Sequence, residues 1–381
     1  MTERKKILLV FGTRPEAIKM APLFHALKAR SDLFETLVCV TAQHREMLDQ
    51  VLKTFEITPD IDLNLMKAGQ DLFDITASVL TGMREVLGKY KPDALLVHGD
   101  TTTALASAMA GFYAGIPVGH VEAGLRTHDI HSPFPEEFNR QVVSKVSRWH
   151  FTPTSGSSDN LLTEGTPAAN ITVTGNTVID SLHWVLARIE SNAQRQTTLS
   201  ALLDERLPFS WKTRRFILIT GHRRENFGDG FLQICKAIRE LAERYPDVYF
   251  VYPVHLNPQV QQPVNAILAN QSNVYLIEPL EYEPFVYLLK HCHIVLTDSG
   301  GIQEEAPSLG KPVLVMRDVT ERPEAIEAGT VKLVAANRER IVAHVAELLD
   351  NQASHAAMAH AHNPYGDGRA CDRIIEVLRT I

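Results

Sequence analysis

Three carboxylates follow predicted strands in the first half of the chain, where they could carry acid–base chemistry. They are Asp100, Glu122 and Glu136. The carboxyl ends of parallel strands lie on one edge of a sheet, so we expect these side chains on one rim. A carboxylate beside another in a cleft has a raised pKa, which suits it to exchange protons near neutral pH. For Asp100 the structural alternative is a helix N-cap, and for Glu136 it is a surface charge in the first turn of a helix.

Two histidines and an arginine occupy comparable positions in the second half. His222 directly follows the first predicted strand there, and His255 follows the next one. Most histidines are structural, so position rather than residue type favours His222 as a chemical group. Arg322 follows a later strand, where it could bind a diphosphate or sugar oxygen or simply be solvated.

The segment Phe11–Lys19, FGTRPEAIK, joins a predicted strand to a helix. Gly12 suits a tight turn, and Pro15 suits the first helical position. Arg14 and Lys19 then lie near the helix N-terminus, whose N–H groups and dipole favour anions. The segment therefore predicts the edge of a phosphate or sugar pocket, with a turn that bears solvated charges as the alternative.

A second loop of this kind, DSGGIQEE, spans Asp298–Glu305 in the second half. Ser299 could cap the following helix and offer a hydroxyl group. Gly300 and Gly301 would let the backbone approach a diphosphate at the helix N-terminus. Glu305, one turn further on, could accept hydrogen bonds from ribose hydroxyls. The alternative is a capped helix with glycines at its entry.

The elements that must position these residues alternate between short apolar strands and helical stretches. Strands are predicted at Ile7–Phe11, Thr36–Val40, Ala94–Val97, Val118–Val121, His150–Thr152, Ile171–Thr174, Phe216–Thr220, Val248–Val254, Val274–Ile277, Ile294–Thr297 and Pro312–Val315. In the first half, helices are predicted at Glu16–Arg30, His44–Phe55, Asp71–Tyr90, Thr102–Ala114 and from Val178 to about Ala193. This alternation predicts the α/β class, with two doubly wound Rossmann-like domains that face each other across a cleft.

Length, composition and missing motifs exclude several classes of protein. The 381 residues exceed the roughly 250–300 that one hydrophobic core organises, which indicates two domains. With 22% charged residues and a net charge of -7, the chain has no polycationic surface for nucleic acid. It lacks the glycine pattern of dinucleotide sites, the Walker pattern, zinc-ligand spacing and the nucleophile elbow. We therefore expect neither a cofactor nor a metal.

Apolar segments and cysteines predict the cellular compartment of the protein. No apolar run approaches the ~20 residues that cross a bilayer, and the early run Ile7–Phe11 breaks at Gly12, so it indicates a first strand rather than an export signal. The four cysteines are scattered without paired or metal-ligand spacing, as in a reducing compartment. The sequence predicts a cytoplasmic protein with no membrane partner.

Taken together, several motifs resemble the bacterial non-hydrolysing UDP-N-acetylglucosamine 2-epimerases. They are Phe11–Lys19, Thr41–Met47 (TAQHREM), His98–Asp100 (HGD), His120–Arg126 (HVEAGLR), Gly221–Asn226 (GHRREN), Asp298–Glu305 and Arg322–Glu324 (RPE). Each motif alone is weak, but their order and spacing match the family over nearly the whole chain. The resemblance implies a glycosyltransferase-B-like fold and a homodimer. It places an N-terminal domain at residues 1–177, joined by a C-terminal helix at 366–381, and a UDP-binding domain at 178–365.

The resemblance also implies roles for individual residues. The implied acid–base set is Asp100, Glu122, Glu136 and His222. The implied UDP-sugar-binding set is Arg14, Lys19, Arg140, Phe285, Ser299, Gly300, Gly301, Glu305 and Arg322. A second, activating UDP-sugar would contact Gln43, His44 and Glu46.

The activity implied by the resemblance is the interconversion of UDP-N-acetylglucosamine and UDP-N-acetylmannosamine. It would proceed by elimination of UDP to 2-acetamidoglucal and re-addition, and would supply amino sugar for cell-surface polysaccharide. UDP itself would then be a third ligand. The alternatives are a hydrolysing 2-epimerase, a glycosyltransferase of the same architecture, which would need an acceptor, and a non-catalytic UDP-sugar sensor.

Overall fold

The chain divides into two compact units, each built around one parallel sheet. The computed structural model describes residues 4–42, 45–65, 67 and 69–381. The first unit runs to Trp184 and also includes Tyr365–Ile381, and the second spans Val185–Pro364. The α/β class with two doubly wound sheets is therefore confirmed.

The described part of the first unit forms a seven-stranded sheet in the order β3-β2-β1-β4-β5-β6-β7. Its strands are β1 (Lys5–Phe11), β2 (Phe34–Val40), β3 (Ile61–Asp62), β4 (Ala94–His98), β5 (Val118–Val121), β6 (Trp149–Thr152) and β7 (Ile171–Val173). Its helices are α1 (Arg14–Lys28), α2 (Arg45–Thr54), α3 (Leu72–Tyr90), α4 (Thr102–Tyr113), α5 (Glu136–Val146), α6 (Ser155–Thr163), the start of α7 (Thr177–Glu190), and α16 (Ala370–Leu378).

The second unit forms a six-stranded sheet over its described residues, in the order β10-β9-β8-β11-β12-β13. Its strands are β8 (Phe216–Thr220), β9 (Tyr249–Pro253), β10 (Val274–Ile277), β11 (Ile294–Thr297), β12 (Val313–Val315) and β13 (Val331–Leu333). Its helices are α8 (Ala193–Arg206), α9 (Asp229–Arg244), α10 (Pro258–Leu268), α11 (Tyr282–His291), α12 (Gly300–Ser308), α13 (Pro323–Glu327), α14 (Arg338–Asp350) and α15 (Gln352–Ala359).

Every predicted strand is present, with ends shifted by at most two residues. The strands β3 and β13 were not predicted, because two or three residues without a continuous apolar run give no periodic signal. The predicted helix at 44–55 is described from Arg45 onward, and His44 lies outside the described residues. Within the described ranges, no helix is long and apolar enough to cross a membrane.

Burial of the central strands explains their apolar sequences. Residues Ile7–Phe11 of β1 have no exposed surface, and β4 is buried along its whole length. Helices cover both faces of a parallel sheet, so such strands need apolar side chains on both sides. Polar side chains are then left to the strand ends, where the predicted chemical groups lie.

Gly12 lies where three of these strand ends meet. A Cβ atom at Gly12 would lie 2.0 Å from Thr41 Oγ1 and 2.6 Å from Thr103 Oγ1. These two hydroxyls are hydrogen-bonded to each other at 3.0 Å. Thr41 follows β2, and Thr103 lies in the first turn of α4 after β4. The absence of a side chain at Gly12 therefore lets these three segments pack together.

We expect Gly12→Ala to lower the free energy of unfolding by about 1–3 kcal/mol, because the added methyl group overpacks a buried hydroxyl pair. Chemical denaturation of both proteins measures the difference. Gly88→Ala is the matched control, since a Cβ atom added to Gly88 in α3 would meet nothing within 4 Å. That substitution should stabilise the protein by about 0.5–1 kcal/mol. Equal effects of the two substitutions would contradict the packing argument.

Candidate functional site

Glu122 lies directly after β5 at the centre of a buried polar cluster. Its backbone φ of 63° is in the left-handed region, which costs a residue other than glycine about 1–3 kcal/mol. Lys19 of α1 forms an ion pair with Glu122 Oε2, and Asn176 Nδ2 donates a hydrogen bond to the same oxygen at 2.7 Å. The side chains of Lys19 and Glu122 are 12% and 9% exposed. Two of the predicted site residues are thus in direct contact.

His98, at the end of β4, faces the same carboxylate. Its Nε2 atom lies 3.8 Å from Glu122 Oε2 and makes no hydrogen bond to a described residue. Burial lowers the pKa of His98 to about 4, although Glu122 acts in the opposite direction. The imidazole is therefore neutral at physiological pH. His98 belongs to the His98–Asp100 motif, but the sequence predicted no role for it.

Asp100 forms the second carboxylate contact, with Arg140 of α5. Arg140 Nη2 donates to Asp100 Oδ2 at 2.5 Å, and its Nη1 lies 3.3 Å from Glu137 Oε2. Burial raises the pKa of Asp100 and Arg140 opposes this, while the charges of Glu122 and Glu136 raise the pKa further. The Asp100 side chain keeps 26% of its surface exposed, so it can exchange protons with a ligand or water. The charges of two other predicted carboxylates, Glu122 and Glu136, thus act on Asp100.

The structural alternative for Asp100 does not hold. The N-cap of α4 is Thr101, whose side chain accepts a hydrogen bond from Ala104 N at 3.0 Å. Glu136 is the half-buried first residue of α5. It therefore occupies the first-turn position that the structural alternative describes, while its charge still acts on Asp100.

Glu16 organises the loop after β1, a role that was not predicted. Its buried carboxylate accepts hydrogen bonds from Gly12 N at 3.1 Å, Thr13 N at 2.8 Å and Thr101 Oγ1 at 2.6 Å. The amides of Gly12 and Thr13 therefore donate their hydrogen bonds to Glu16. Arg14, the half-buried first residue of α1, lies beside them. The capping-box pattern, Thr followed three residues later by Glu, was the signal that could have revealed this role.

In the second unit, Asp298 orders the loop that carries His222. The fully buried Asp298 carboxylate accepts hydrogen bonds from His222 N and Arg223 N, each at 2.9 Å. His222 Nδ1 lies 3.5 Å from Asp298 Oδ1, and its side chain is 45% exposed. Burial lowers the pKa of His222, and Asp298 partly opposes this. His255 stacks on His222 with ring centroids 5.5 Å apart, so the two predicted histidines lie together.

The loop before α12 contains two glycines, and the Arg322 guanidinium lies close to the first of them. Ser299 occupies the N-cap position, but its hydroxyl makes no capping hydrogen bond, so the expected cap is absent. A Cβ atom on Gly300 would lie 2.7 Å from Arg322 Nη1, and one on Gly301 would meet nothing within 4 Å. Arg322 Nε donates to the buried Glu304 at 2.7 Å. Gly300 is thus needed for the close approach of Arg322, while Gly301 faces open space.

The Glu305 side chain, which was predicted to accept hydrogen bonds from ribose hydroxyls, is largely buried. It is 6% exposed, and Tyr282 donates its hydroxyl to Glu305 Oε1 at 2.8 Å. Tyr282 begins α11, and the half-buried Phe285 lies one turn further along that helix. The structure thus connects Glu305 to α11, which also carries Phe285.

Of the residues predicted to contact a second UDP-sugar, the structure describes only Glu46. Glu46 is an exposed residue in the first turn of α2, while Gln43 and His44 lie outside the described residues. Within residues 4–42, 45–65, 67 and 69–381, no group of three or more His, Cys, Asp and Glu side chains could hold a metal ion. All four cysteines are buried free thiols.

Comparison with known proteins decides the family. The family model described as UDP-N-acetylglucosamine 2-epimerase matches residues 25–379. The chain belongs to this family. It is 58% identical over 374 residues to the UDP-N-acetylglucosamine 2-epimerase of Yersinia pestis, an alignment that covers 98% of each chain.

Solved structures of family members have the same fold. The UDP-N-acetylglucosamine 2-epimerase of Neisseria meningitidis, bound to UDP-N-acetylglucosamine, aligns with a TM-score of 0.90 and 52% identity over 99% of this chain and 100% of that one. The Methanocaldococcus jannaschii enzyme in complex with UDP-N-acetylglucosamine and UDP aligns with a TM-score of 0.80 and 32% identity over the same shares. A glycosyltransferase from Rickettsia africae, 13% identical, shares the fold with a TM-score of 0.64 over 99% of this chain and 98% of its own. The predicted family and the glycosyltransferase-B-like fold are confirmed.

Three histidines of this family member are buried on neighbouring strands of the first sheet. His98 lies on β4, His120 on β5 and His150 on β6, and His120 pairs with His150 in register. Burial lowers the pKa of His120 to about 3 and that of His150 to about 4. His120 Nε2 also donates a hydrogen bond to Gly99 O at 2.8 Å, next to Asp100.

These shifts predict that acid destabilises the protein. Below about pH 6.5 the unfolded chain binds a proton at His120, while the folded chain does not until about pH 3. Stability should therefore fall as the pH falls through this window, and one such histidine contributes at most about 1.4 kcal/mol per pH unit. We expect His120→Gln to reduce the slope of unfolding free energy against pH by up to that amount, measured by urea unfolding between about pH 6.5 and 4.5.

Ser107→Ala is the control for this experiment. Ser107 is a fully buried polar residue of α4 that does not titrate in this range. Its replacement changes stability equally at every pH and leaves the slope unchanged. A slope that is the same in wild type and His120→Gln would show that His120 is protonated equally in both states.

Proposed function

We propose that this chain catalyses the reversible epimerisation of UDP-N-acetylglucosamine at carbon 2, giving UDP-N-acetylmannosamine. The observation that carries the proposal is the pair of partly buried carboxylates after β4 and β5, each bound to a cation of the same unit. Asp100 contacts Arg140 and Glu122 contacts Lys19. Membership of the epimerase family supports the reaction class, and the complexes of the Neisseria and Methanocaldococcus enzymes support the ligand class.

In the proposed mechanism, a carboxylate removes the proton on carbon 2 while the bond from carbon 1 to the UDP oxygen breaks. The electron pair of the C–H bond forms the double bond of 2-acetamidoglucal, and the C–O pair leaves with UDP. Re-addition of UDP, with protonation of carbon 2 from the opposite face, gives the epimer. The proton on carbon 2 is barely acidic, so stabilisation of the departing diphosphate must supply a large part of the rate enhancement.

Asp100, Glu122 and Glu136 form the proposed proton-transfer set. The raised pKa of Asp100 suits it to hold a proton for part of the cycle, because burial and two neighbouring acids disfavour its charge. Glu122, which forms an ion pair with Lys19, is a proposed proton acceptor of this set. His222, ordered by Asp298, is the proposed group at the leaving diphosphate.

The remaining proposed roles concern UDP. Arg322, which Glu304 holds in place, supplies positive charge beside Gly300. The backbone of Gly300 and Gly301 at the start of α12 offers N–H groups to a phosphate. The other members of the proposed binding set are Arg14, Lys19, Arg140, Phe285, Ser299 and Glu305. Glu46 remains the described member of the proposed activating site.

We also propose a homodimer in the cytoplasm that supplies activated amino sugar for surface polysaccharide. Exposed aromatic side chains on α3 and α4 support the homodimer. They are Phe73 (84% exposed) on α3 and Phe112 (59%) and Tyr113 (69%) on α4. A groove of about 830 Å³ lies between these helices and is lined by Leu80 and Arg84 among others. Exposed apolar surface of this kind marks interaction sites. The four buried thiols suit a reducing compartment.

Turnover in deuterium oxide should place deuterium at carbon 2 of both recovered epimers. The proton that is removed and the one that is returned lie on opposite faces of the sugar, so the enzyme groups exchange with solvent between the two steps. Incubation with UDP-N-acetylglucosamine alone, followed by proton NMR, measures this. Full retention of the original hydrogen would rule out elimination. Irreversible accumulation of UDP with free sugar would instead identify a hydrolysing enzyme.

Asp100→Asn should lower turnover at least ~100-fold, because it keeps the shape of the side chain and removes its acid–base function. The affinity for UDP should remain within about twofold, since the substitution spares the proposed UDP-binding residues. Steady-state kinetics and calorimetric titration with UDP measure the two effects. Asp159→Asn, the same change at an exposed position of α6, is the control. Near-normal turnover of Asp100→Asn would remove Asp100 from the proton-transfer set.

A further inference from the structure

The Glu122 carboxylate depends on outside contacts for its position. Its backbone lies in the left-handed region, and the preceding strand ends at Val121. A non-glycine residue keeps such a conformation only when its surroundings hold it there. Lys19 supplies charge to Oε2 from α1, and His98 lies 3.8 Å from the same oxygen. The third contact is a hydrogen bond, which the uncharged amide of Asn176 donates to Oε2.

Asn176 is itself anchored on three sides. Its Nδ2 donates to Glu122 Oε2 at 2.7 Å, and its Oδ1 accepts a hydrogen bond from Val178 N at 3.1 Å. Its backbone N–H donates to Tyr365 O at 2.7 Å, and the residue is 3% exposed. Because Oδ1 is engaged by a backbone N–H, the amide can present only its NH2 group to Glu122.

The segment that returns from residue 365 clamps the turn that carries Asn176. Cβ atoms placed on Gly175 or on Gly366 would lie 3.2 Å from the Cα atom of the other glycine. Both glycines have positive φ angles, 88° and 120°. Arg373 of α16 donates to Thr174 O at 2.9 Å. Residues 174–176 therefore pack directly against the C-terminal segment, which sets where the Asn176 amide points.

A neutral donor has a property that Lys19 lacks. When Glu122 takes up a proton, it loses its charge and most of its attraction to Lys19. A carboxyl group protonated on Oε1 still accepts a hydrogen bond at Oε2 from the Asn176 amide. The contact can therefore orient Glu122 before and after proton transfer, and it favours Oε1 as the oxygen that exchanges the proton.

We propose that Asn176 is a positioning residue for Glu122 in the epimerase reaction, held in place by the C-terminal segment at Tyr365–Gly366. The inference rests on the proposed function. In this role Asn176 acts through the carboxylate and touches no substrate atom. Its removal should affect turnover and the pH profile rather than the affinity for UDP.

Asn176→Asp is the decisive substitution, because it keeps the acceptor for Val178 N and replaces the donor by a second carboxylate oxygen at Glu122. Like charges at this distance raise the pKa of the pair. The charged and titratable groups that face Glu122 are otherwise unchanged: Lys19, His98 and Asp100. We expect turnover to fall about 100-fold and the acid limb of the kcat profile to move up by about one pH unit or more. The Kd for UDP should stay within about twofold.

Asn160→Asp is the matched control. The Asn160 amide donates to Gly124 O at 3.0 Å, so it supports the same loop without contacting the Glu122 carboxylate. This control should lower the melting temperature without moving the pH profile. Asn176→Ala adds no charge, so it should reduce turnover while leaving the acid limb near that of wild type. It also replaces the aspartate variant if that protein does not fold.

The outcomes separate the two proposals. If wild type does not interconvert the two UDP-sugars, the proposed function falls and this inference falls with it. If wild type is active but Asn176→Asp behaves like Asn160→Asp, or Asn176→Ala turns over normally, then Asn176 is only a structural residue and the proposed function stands. A loss of turnover in both Asn176 variants, with a shifted acid limb in Asn176→Asp alone, supports the positioning role.

Discussion

A parallel sheet that is buried on both faces confines polar chemistry to its strand ends, and this constraint shapes both units of the protein. The central strands carry apolar side chains on both sides, as β1 and β4 do. Their loops must then hold charged groups close to a dry core. A buried charge without a partner costs several kcal/mol. The candidate site is therefore a set of mutually satisfied groups rather than a collection of separate charges.

In both units a buried carboxylate accepts hydrogen bonds from the backbone amides of a loop that follows a strand. In the first, the Glu16 carboxylate accepts hydrogen bonds from Gly12 N and Thr13 N in the loop after β1. In the second, Asp298 accepts them from His222 N and Arg223 N in the loop after β8. In each unit a buried carboxylate thus replaces water as the partner of loop amides. These hydrogen bonds satisfy the backbone N–H groups of the loops that carry candidate chemical groups.

Three ion pairs join acids and cations of the candidate site. Asp100 with Arg140, Glu122 with Lys19 and Glu304 with Arg322 each combine a buried or partly buried acid with a cation. Such pairs add little net stability, because desolvation offsets their attraction. Their value is that each partner fixes the position of the other. Asp100, which keeps a quarter of its side chain exposed, is the acid of these three that is most open to a ligand.

The sequence by itself determined the architecture, the family and the rim of carboxylates. Strands such as Phe216–Thr220 are continuous apolar runs, and the residues that follow strands can only lie at the sheet edge. The tertiary structure alone decided which groups meet. The contacts of Asn176 with Glu122 and of Tyr282 with Glu305 join distant parts of the chain. It also showed that Thr101, rather than Asp100, caps α4. Sequence patterns record the periodicity of burial along the chain, whereas pKa shifts and hydrogen-bond partners depend on distances between segments that only folding brings together.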